Sequence, residues 1–158
     1  LAGTVGLTPM FHGLLAGGLW TLRRANNLLD GATPFYRVYR CADERFVAVG
    51  ALEPKFYAQL LAVTGLASDI DARDQYRPAT WPQTIERFAA RFATRTREDW
   101  AQAALAHDAC LSPVLDFAEA ARHPHNRANG LFRDAPFAQP AEVIAFDRYV
   151  DGRDADRS

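Results

Sequence analysis

Glu53 is followed by Pro54 and then by Lys55-Phe56-Tyr57. Proline has no N–H to place and fits the first turn of a helix, and it biases the residue before it towards extended backbone. The sequence therefore predicts Glu53 at a helix N-terminus, where the dipole favours negative charge. A carboxylate so placed can serve acid–base chemistry or orient a neighbouring group. From the local sequence alone, a plain helix-start residue is the preferred reading.

The other reactive side chains are less suggestive. His107 and Asp108 are adjacent, but neighbours on a helix or turn point apart, so a surface position is the preferred reading. His123 and His125 flank Pro124 with no Cys or third ligand nearby, which argues against zinc. Asp69, Asp71 and Asp74 lack the Gly and the terminal Glu of a calcium loop. No metal site is expected. Cys41 and Cys110 fall in strand-like runs and are expected to be small core residues rather than nucleophiles. Ser112 precedes Pro113 and lacks the G-x-S-x-G setting of a hydrolase elbow. There is no Gly-rich strand-to-helix fingerprint and no phosphate loop.

The elements that must carry Glu53 are readable from patterning. Residues 35–40 and 46–49 are rich in aromatic and β-branched types, and residues 42–45 separate them, which predicts a β-hairpin. A helix follows from Pro54, with Phe56, Leu60 and Val63 at i, i+4 and i+7 and Gly65 as its stop. Residues 69–77 read as a polar loop. Thr80 and Gln83 have capping-box spacing ahead of a helix with the core stripe Trp81, Ile85, Phe88 and Phe92. Thr96 caps a further helix with Asp99 in its first turn and Trp100 and Ala104 facing inward. Residues 109–115 form a strand-like run that Pro113 consigns to an edge or bend. Residues 116–122 form a short helix, broken at His123-Pro124, and Leu131-Phe132 a short strand. Residues 9–22 carry apolar side chains with helical spacing and are expected to be a helix buried on more than one side. The fold class is α+β: an antiparallel hairpin or small sheet with several packed helices, preceded by a long linker helix.

The 158 residues are long enough for a packed core, and the formal net charge of −1 gives no reason to expect nucleic acid or an anionic membrane as partner. Two cysteines are too few for a secreted disulfide scaffold, so a reduced, cytoplasmic chain is expected. The apolar run before Arg23-Arg24 is interrupted by Gly3, Gly6, Pro9, His12 and Gly13, and its positive charge follows rather than precedes it. Neither a signal peptide nor a membrane span is expected. The chain begins at Leu1 without Met, and the expectation is a piece of a longer protein.

Several ordered segments carry a family resemblance. They are Ala25-Asn26, Leu29-Asp30-Gly31, Pro34-Phe35-Tyr36, the run from Phe46 through Val49-Gly50-Ala51-Leu52-Glu53-Pro54 to Tyr57, Trp81-Pro82, Trp100, and Asp108-Ala109-Cys110-Leu111-Ser112-Pro113. Across residues 14–133 the chain resembles the small domain of α-methylacyl-CoA racemases, within the family III CoA-transferase (CaiB/BaiF) superfamily. The resemblance implies that residues 1–28 are a linker helix from a large CoA-binding domain, 29–133 the small α+β domain, and 134–158 a tail that starts back towards the large domain or is disordered. It also implies an interlocked homodimer and an acyl-CoA substrate, with CoA belonging to the substrate and no separate cofactor. The catalytic His and Asp of the family lie in the large domain and are expected upstream of Leu1. The family's glutamate beside that His matches Glu53, which makes Glu53 the candidate catalytic residue. Two departures stand out: Glu44 replaces the usual Gly of the hairpin turn, and residues 141–158 do not look like the family's Pro-rich return segment.

The expected function is thus part of an acyl-CoA racemase that epimerises 2-methylacyl-CoA thioesters by α-proton abstraction and return, with this chain inactive alone. A family III CoA-transferase moving CoA between carboxylic acids is the first alternative. A non-catalytic binding or oligomerisation module is the second.

Overall fold

The computed structural model describes residues 2–6, 8–133 and 139–141. The chain forms two compact units, Leu1–Val114 and Leu115–Ser158. The expected tail path beyond residue 141 lies outside the described residues.

The first unit is built on a three-stranded antiparallel sheet. Strands β1 (Tyr36–Arg40) and β2 (Phe46–Gly50) form the predicted hairpin, with Tyr36 opposite Gly50 and Arg40 opposite Phe46. β3 (Leu111–Pro113) adds to the other side of β2, with Pro113 opposite Val47. Pro113 therefore lies on an edge strand, where its missing N–H leaves no ladder partner wanting. Alternation along the strands sends Tyr39, Val47 and Val49 inward and Tyr36, Val38 and Ser112 outward.

Three helices cover the inner face: α3 (Pro54–Thr64), α4 (Trp81–Phe92) and α5 (Arg97–Ala104). Their contribution to the core is chiefly aromatic. Tyr39 stacks on Phe92 at 4.9 Å, and Phe92 meets Trp100 edge-on at 5.2 Å. The indole N–H of Trp100 donates to the Phe92 carbonyl at 2.9 Å, and the Tyr39 hydroxyl donates to the Pro34 carbonyl at 2.6 Å. Each buried polar tip thus has a partner, as burial requires. Burial pushes the Tyr39 phenol well above its usual range and the Tyr57 phenol up to about 12.

The local signals were obeyed unevenly. Gly65 adopts φ 68° and closes α3, with Leu66 N–H reaching back to the Leu61 carbonyl at 2.9 Å. Thr96 and Asp99 form a reciprocal capping box on α5. The Thr80–Gln83 box does not form. Thr80 ends a 3-10 turn (Pro78–Thr80) with helical backbone, and its hydroxyl turns back to the Arg77 carbonyl at 2.9 Å. The fully buried stripe of α3 is Tyr57, Leu60, Leu61 and Thr64, while Phe56 and Val63 are only half-buried at its margin.

At the N-terminus, α1 (Ala2–Gly6) and α2 (Pro9–Ala16) occupy the stretch read as one long helix, and α2 stops six residues before Leu22. Gly18 takes φ 68°, and Leu19 N–H bonds the Leu14 carbonyl at 2.9 Å. The Gly17-Gly18 pair ends the helix because glycine is costly inside it and suited to the left-handed stop.

The second unit contains α6 (Phe117–Arg122), α7 (Pro124–Ala128) and the paired short strands β4 (Phe132–Arg133) and β5 (Gln139–Pro140). Asp116 and Glu119 form the capping box of α6.

The hairpin turn carries the strain that its sequence announced. Glu44 sits at φ 63°, Cys41 N–H donates to the Arg45 carbonyl at 2.8 Å, and Glu44 N–H donates to the Cys41 carbonyl at 3.1 Å. A left-handed non-glycine residue costs about 1–2 kcal/mol. Glycine forgoes that strain but loses about 0.5–1 kcal/mol more in chain entropy. The exposed Arg40–Glu44 pair at 2.5 Å recovers little. Glu44→Gly is therefore expected to stabilise the chain by up to about 1 kcal/mol, seen as a Tm raised by a few degrees. A lowered Tm contradicts the turn geometry.

Candidate functional site

Glu53 stands at the N-cap of α3 with φ −76° and ψ 142°, the extended backbone that the following proline imposes. Its carbonyl accepts the N–H groups of Phe56 and Tyr57, both at 3.0 Å. Its side chain makes no capping hydrogen bond and is exposed. The main chain is therefore tied into the helix while the carboxylate remains available.

The approach to Glu53 from β2 is tightly held. Ala51 is fully buried, and Gly50 N–H donates to the Cys110 carbonyl at 2.9 Å. Leu52 N–H folds back onto the Gly50 carbonyl, also at 2.9 Å. The buried amide of Gln75 donates to the carbonyls of Ala51 at 3.1 Å and Leu52 at 2.8 Å, and the Tyr76 hydroxyl donates to Leu52 as well. Gln75 and Tyr76 escaped the sequence reading because residues 69–77 look like a solvated loop. Only the 23- and 24-residue reach back to Ala51 and Leu52, just past β2, reveals them, and no local pattern encodes it.

Cys110 differs from its sequence expectation. It is exposed, not a core residue, and lies just before β3 at φ 46°. That left-handed backbone breaks the strand alternation, and Ala109 is buried in its stead. Partial burial raises the Cys110 thiol pKa, the charges of Asp108 and Glu53 push the same way, and Lys55 opposes them. Cys41 fits its expectation: it is buried, and burial together with Asp43 pushes its thiol up to about 11.

An open cavity of about 730 Å³ lies on the outer face of the sheet. Tyr36, Val38, Gly50, Cys110 and Ser112 line one side of it, and Arg24 and Asp30 belong to the other. The segment across the cavity is ordered by Asp30, which accepts the Asn27 N–H at 2.8 Å and the Asn27 amide at 2.7 Å. Desolvation works to raise the Asp30 carboxyl, but its hydrogen bonds from Asn27 and Asn26 outweigh it and hold the group below its usual range. Asn27, itself buried, passes the anchoring on by accepting the Thr21 N–H at 2.7 Å.

The remaining candidates are not brought to this site. His107 meets Gln59 at 3.0 Å rather than pairing with Asp108. His125 lies against Asn129 on α7. Asp71 accepts the Arg73 N–H at 2.9 Å and its guanidinium at 2.7 Å, which holds the carboxyl down to about 2. Asp74 pairs with Arg77 at 3.2 Å. Among the described residues, no three His, Cys, Asp or Glu side chains converge as metal ligands, and no helix is long and apolar enough to cross a membrane.

Comparison with known proteins gives this arrangement its context. The family model described as CoA-transferase family III matches residues 8–156. The chain belongs to CoA-transferase family III. Among relatives in that family, mouse alpha-methylacyl-CoA racemase is 41% identical over 147 residues, which is 90% of this chain and 38% of the mouse protein. The human alpha-methylacyl-CoA racemase is 45% identical over 114 residues, covering 72% of this chain and 30% of its own length. A CaiB/baiF CoA-transferase family protein of Caenorhabditis elegans is 39% identical over 93 residues, 58% of this chain and 25% of that protein. The chain thus spans well under half the length of the curated relatives it matches.

The two thiols offer a direct check of this surface. A small alkylating reagent at pH 8 is expected to modify Cys110 and to leave Cys41 until the chain unfolds. Because the Cys110 thiol is raised, its rate should keep climbing above the ordinary thiol range of about 8.5. Equal reactivity of both cysteines in the folded chain contradicts the geometry.

Proposed function

We propose that this chain supplies Glu53 to the active site of an enzyme that epimerises 2-methylacyl-CoA thioesters. In this reaction a base removes the proton from the carbon next to the thioester carbonyl, leaving an enolate. An acid on the opposite face returns a proton, so the configuration inverts with no net change in composition. The bases need tuned pKa values, and the enolate needs fixed dipoles. A carboxylate that accepts the N–H of a catalytic imidazole fixes the ring's tautomer and stabilises its protonated form. Glu53 is assigned that place. The imidazole and the second base belong to the part of the relatives' length that this chain does not span, so the chain by itself is expected not to turn over.

The observation that carries this reading is the free Glu53 carboxylate on a rigid strand-to-helix junction, in a chain with racemase relatives at 41–45% identity. The family's description and the worm relative favour a second reading, a transferase that moves CoA between carboxylic acids. In either case the substrate is an acyl-CoA, and the whole protein is assigned a homodimeric assembly.

In the full-length protein, Glu53→Gln keeps the shape and removes the charge. It is expected to slow exchange of the substrate α-proton into D₂O at least about 10-fold, because the carboxylate that fixes the imidazole tautomer and stabilises its protonated form is lost. The Kd for the CoA ester is expected to stay within a factor of about three, because the loss falls on the transition state. Unchanged exchange removes Glu53 from the mechanism.

A further inference from the structure

Glu53 has no side-chain hydrogen bond or ion pair among the described residues, so the aim of its carboxylate depends on its backbone. The two peptides before it are fixed by a side chain 23 to 24 residues away in sequence: Gln75, only 3% exposed, donates to the Ala51 carbonyl at 3.1 Å and to the Leu52 carbonyl at 2.8 Å. The neighbouring Tyr76 hydroxyl donates to Leu52 too. The clasp is itself anchored. The Gln75 carbonyl accepts the Trp81 indole N–H at 2.8 Å, and the rings of Tyr76 and Trp81 both meet the fully buried Phe35 edge-on, at 5.3 and 6.2 Å.

We infer that Gln75 and Tyr76 are positioning residues that hold the Glu53 carboxylate in its working place; this rests on Glu53 acting in the reaction. As a stability device the arrangement is inefficient. The Gln75 Oε1 is buried with no partner among the described residues, and an unpaired buried oxygen carries a desolvation penalty. An amide at this position is explained by what its two N–H groups grip. Departures from full polar satisfaction of this kind belong at functional sites.

The test uses the full-length protein with Gln75→Met, which removes the donors and the unpaired oxygen together at similar volume. Amide hydrogen exchange at Leu52 is expected to accelerate about tenfold or more, with the interior of α3 unaffected, because only the local clasp opens. The kcat for α-proton exchange of a 2-methylacyl-CoA is expected to fall about tenfold with KM within about threefold, the pattern of a misplaced catalytic geometry. In a Glu53→Gln background the same substitution is expected to add nothing further, since residues acting through one another are not additive. An undiminished kcat, or an equal fall in both backgrounds, overturns the inference. Should Glu53→Gln alone leave exchange unchanged, the reading of Glu53 fails and the positioning role falls with it, while the Leu52 amide still reports whether the clasp exists. If Gln75→Met does not fold, Tyr76→Phe at the exposed hydroxyl carries the same comparison, with an expected fall of about threefold.

Discussion

Where β2 ends, the chain still runs through the interior, and the carbonyls of Ala51 and Leu52 emerge with no strand beyond Gly50 to pair with them. Buried carbonyls must find donors, and the Gln75 amide answers both. This constraint organises the first unit. It ties the polar segment after α3 back to the sheet, it brings Trp81 and the start of α4 against Phe35, and it leaves Glu53 at the exit with its main chain committed to α3. Remove the pairing and the junction has both a desolvation penalty and the freedom to move.

The aromatic core makes that junction rigid from the other side. Tyr39, Phe92 and Trp100 form a continuous run of ring contacts linking β1, α4 and α5, so the sheet cannot shift without disturbing two helices. The turn between β1 and β2 is drawn into the same framework: Asp43 accepts the Arg97 N–H at 3.2 Å, and Ala42 N–H donates to the Arg95 carbonyl at 2.9 Å. Such anchoring explains how Glu44 can be held at positive φ, since surrounding contacts over-determine the turn. The outer face of the sheet is the contrast. It leaves Tyr36, Val38 and Phe46 exposed, with an open cavity beside them.

What the sequence disclosed was local. The hairpin, the Glu53-Pro54 helix start, the Gly65 stop, the Thr96–Asp99 box and the edge position of Pro113 each depend on a few adjacent residues, and each formed. What it concealed depended on partners far along the chain or on competition between neighbouring signals. Thr80 had the right spacing for a cap, but the preceding 3-10 turn claimed its backbone and hydroxyl. Gly17-Gly18 fitted the helical period of the first segment and yet ended it. Cys110 lay in a strand-like run and turned outward through positive φ. Gln75 looked like loop surface and is among the most buried polar residues described. The candidate site was therefore half legible: the carboxylate could be named, and what holds it could not.

Family membership rests on the match to CoA-transferase family III, while the local geometry offers an exposed Glu53 carboxylate on a tightly held stem. Proton abstraction next to a thioester needs no second substrate, whereas CoA transfer requires an acceptor acid, and this difference separates the two readings. The decisive measurement is α-hydrogen exchange in D₂O by the full-length protein, starting from each of (R)- and (S)-2-methylacyl-CoA with no acceptor carboxylate present. The racemase account predicts that both epimers take up solvent deuterium and converge on the same mixture. Retention of the α-hydrogen and configuration, with CoA moving only when an acceptor acid is supplied, contradicts it.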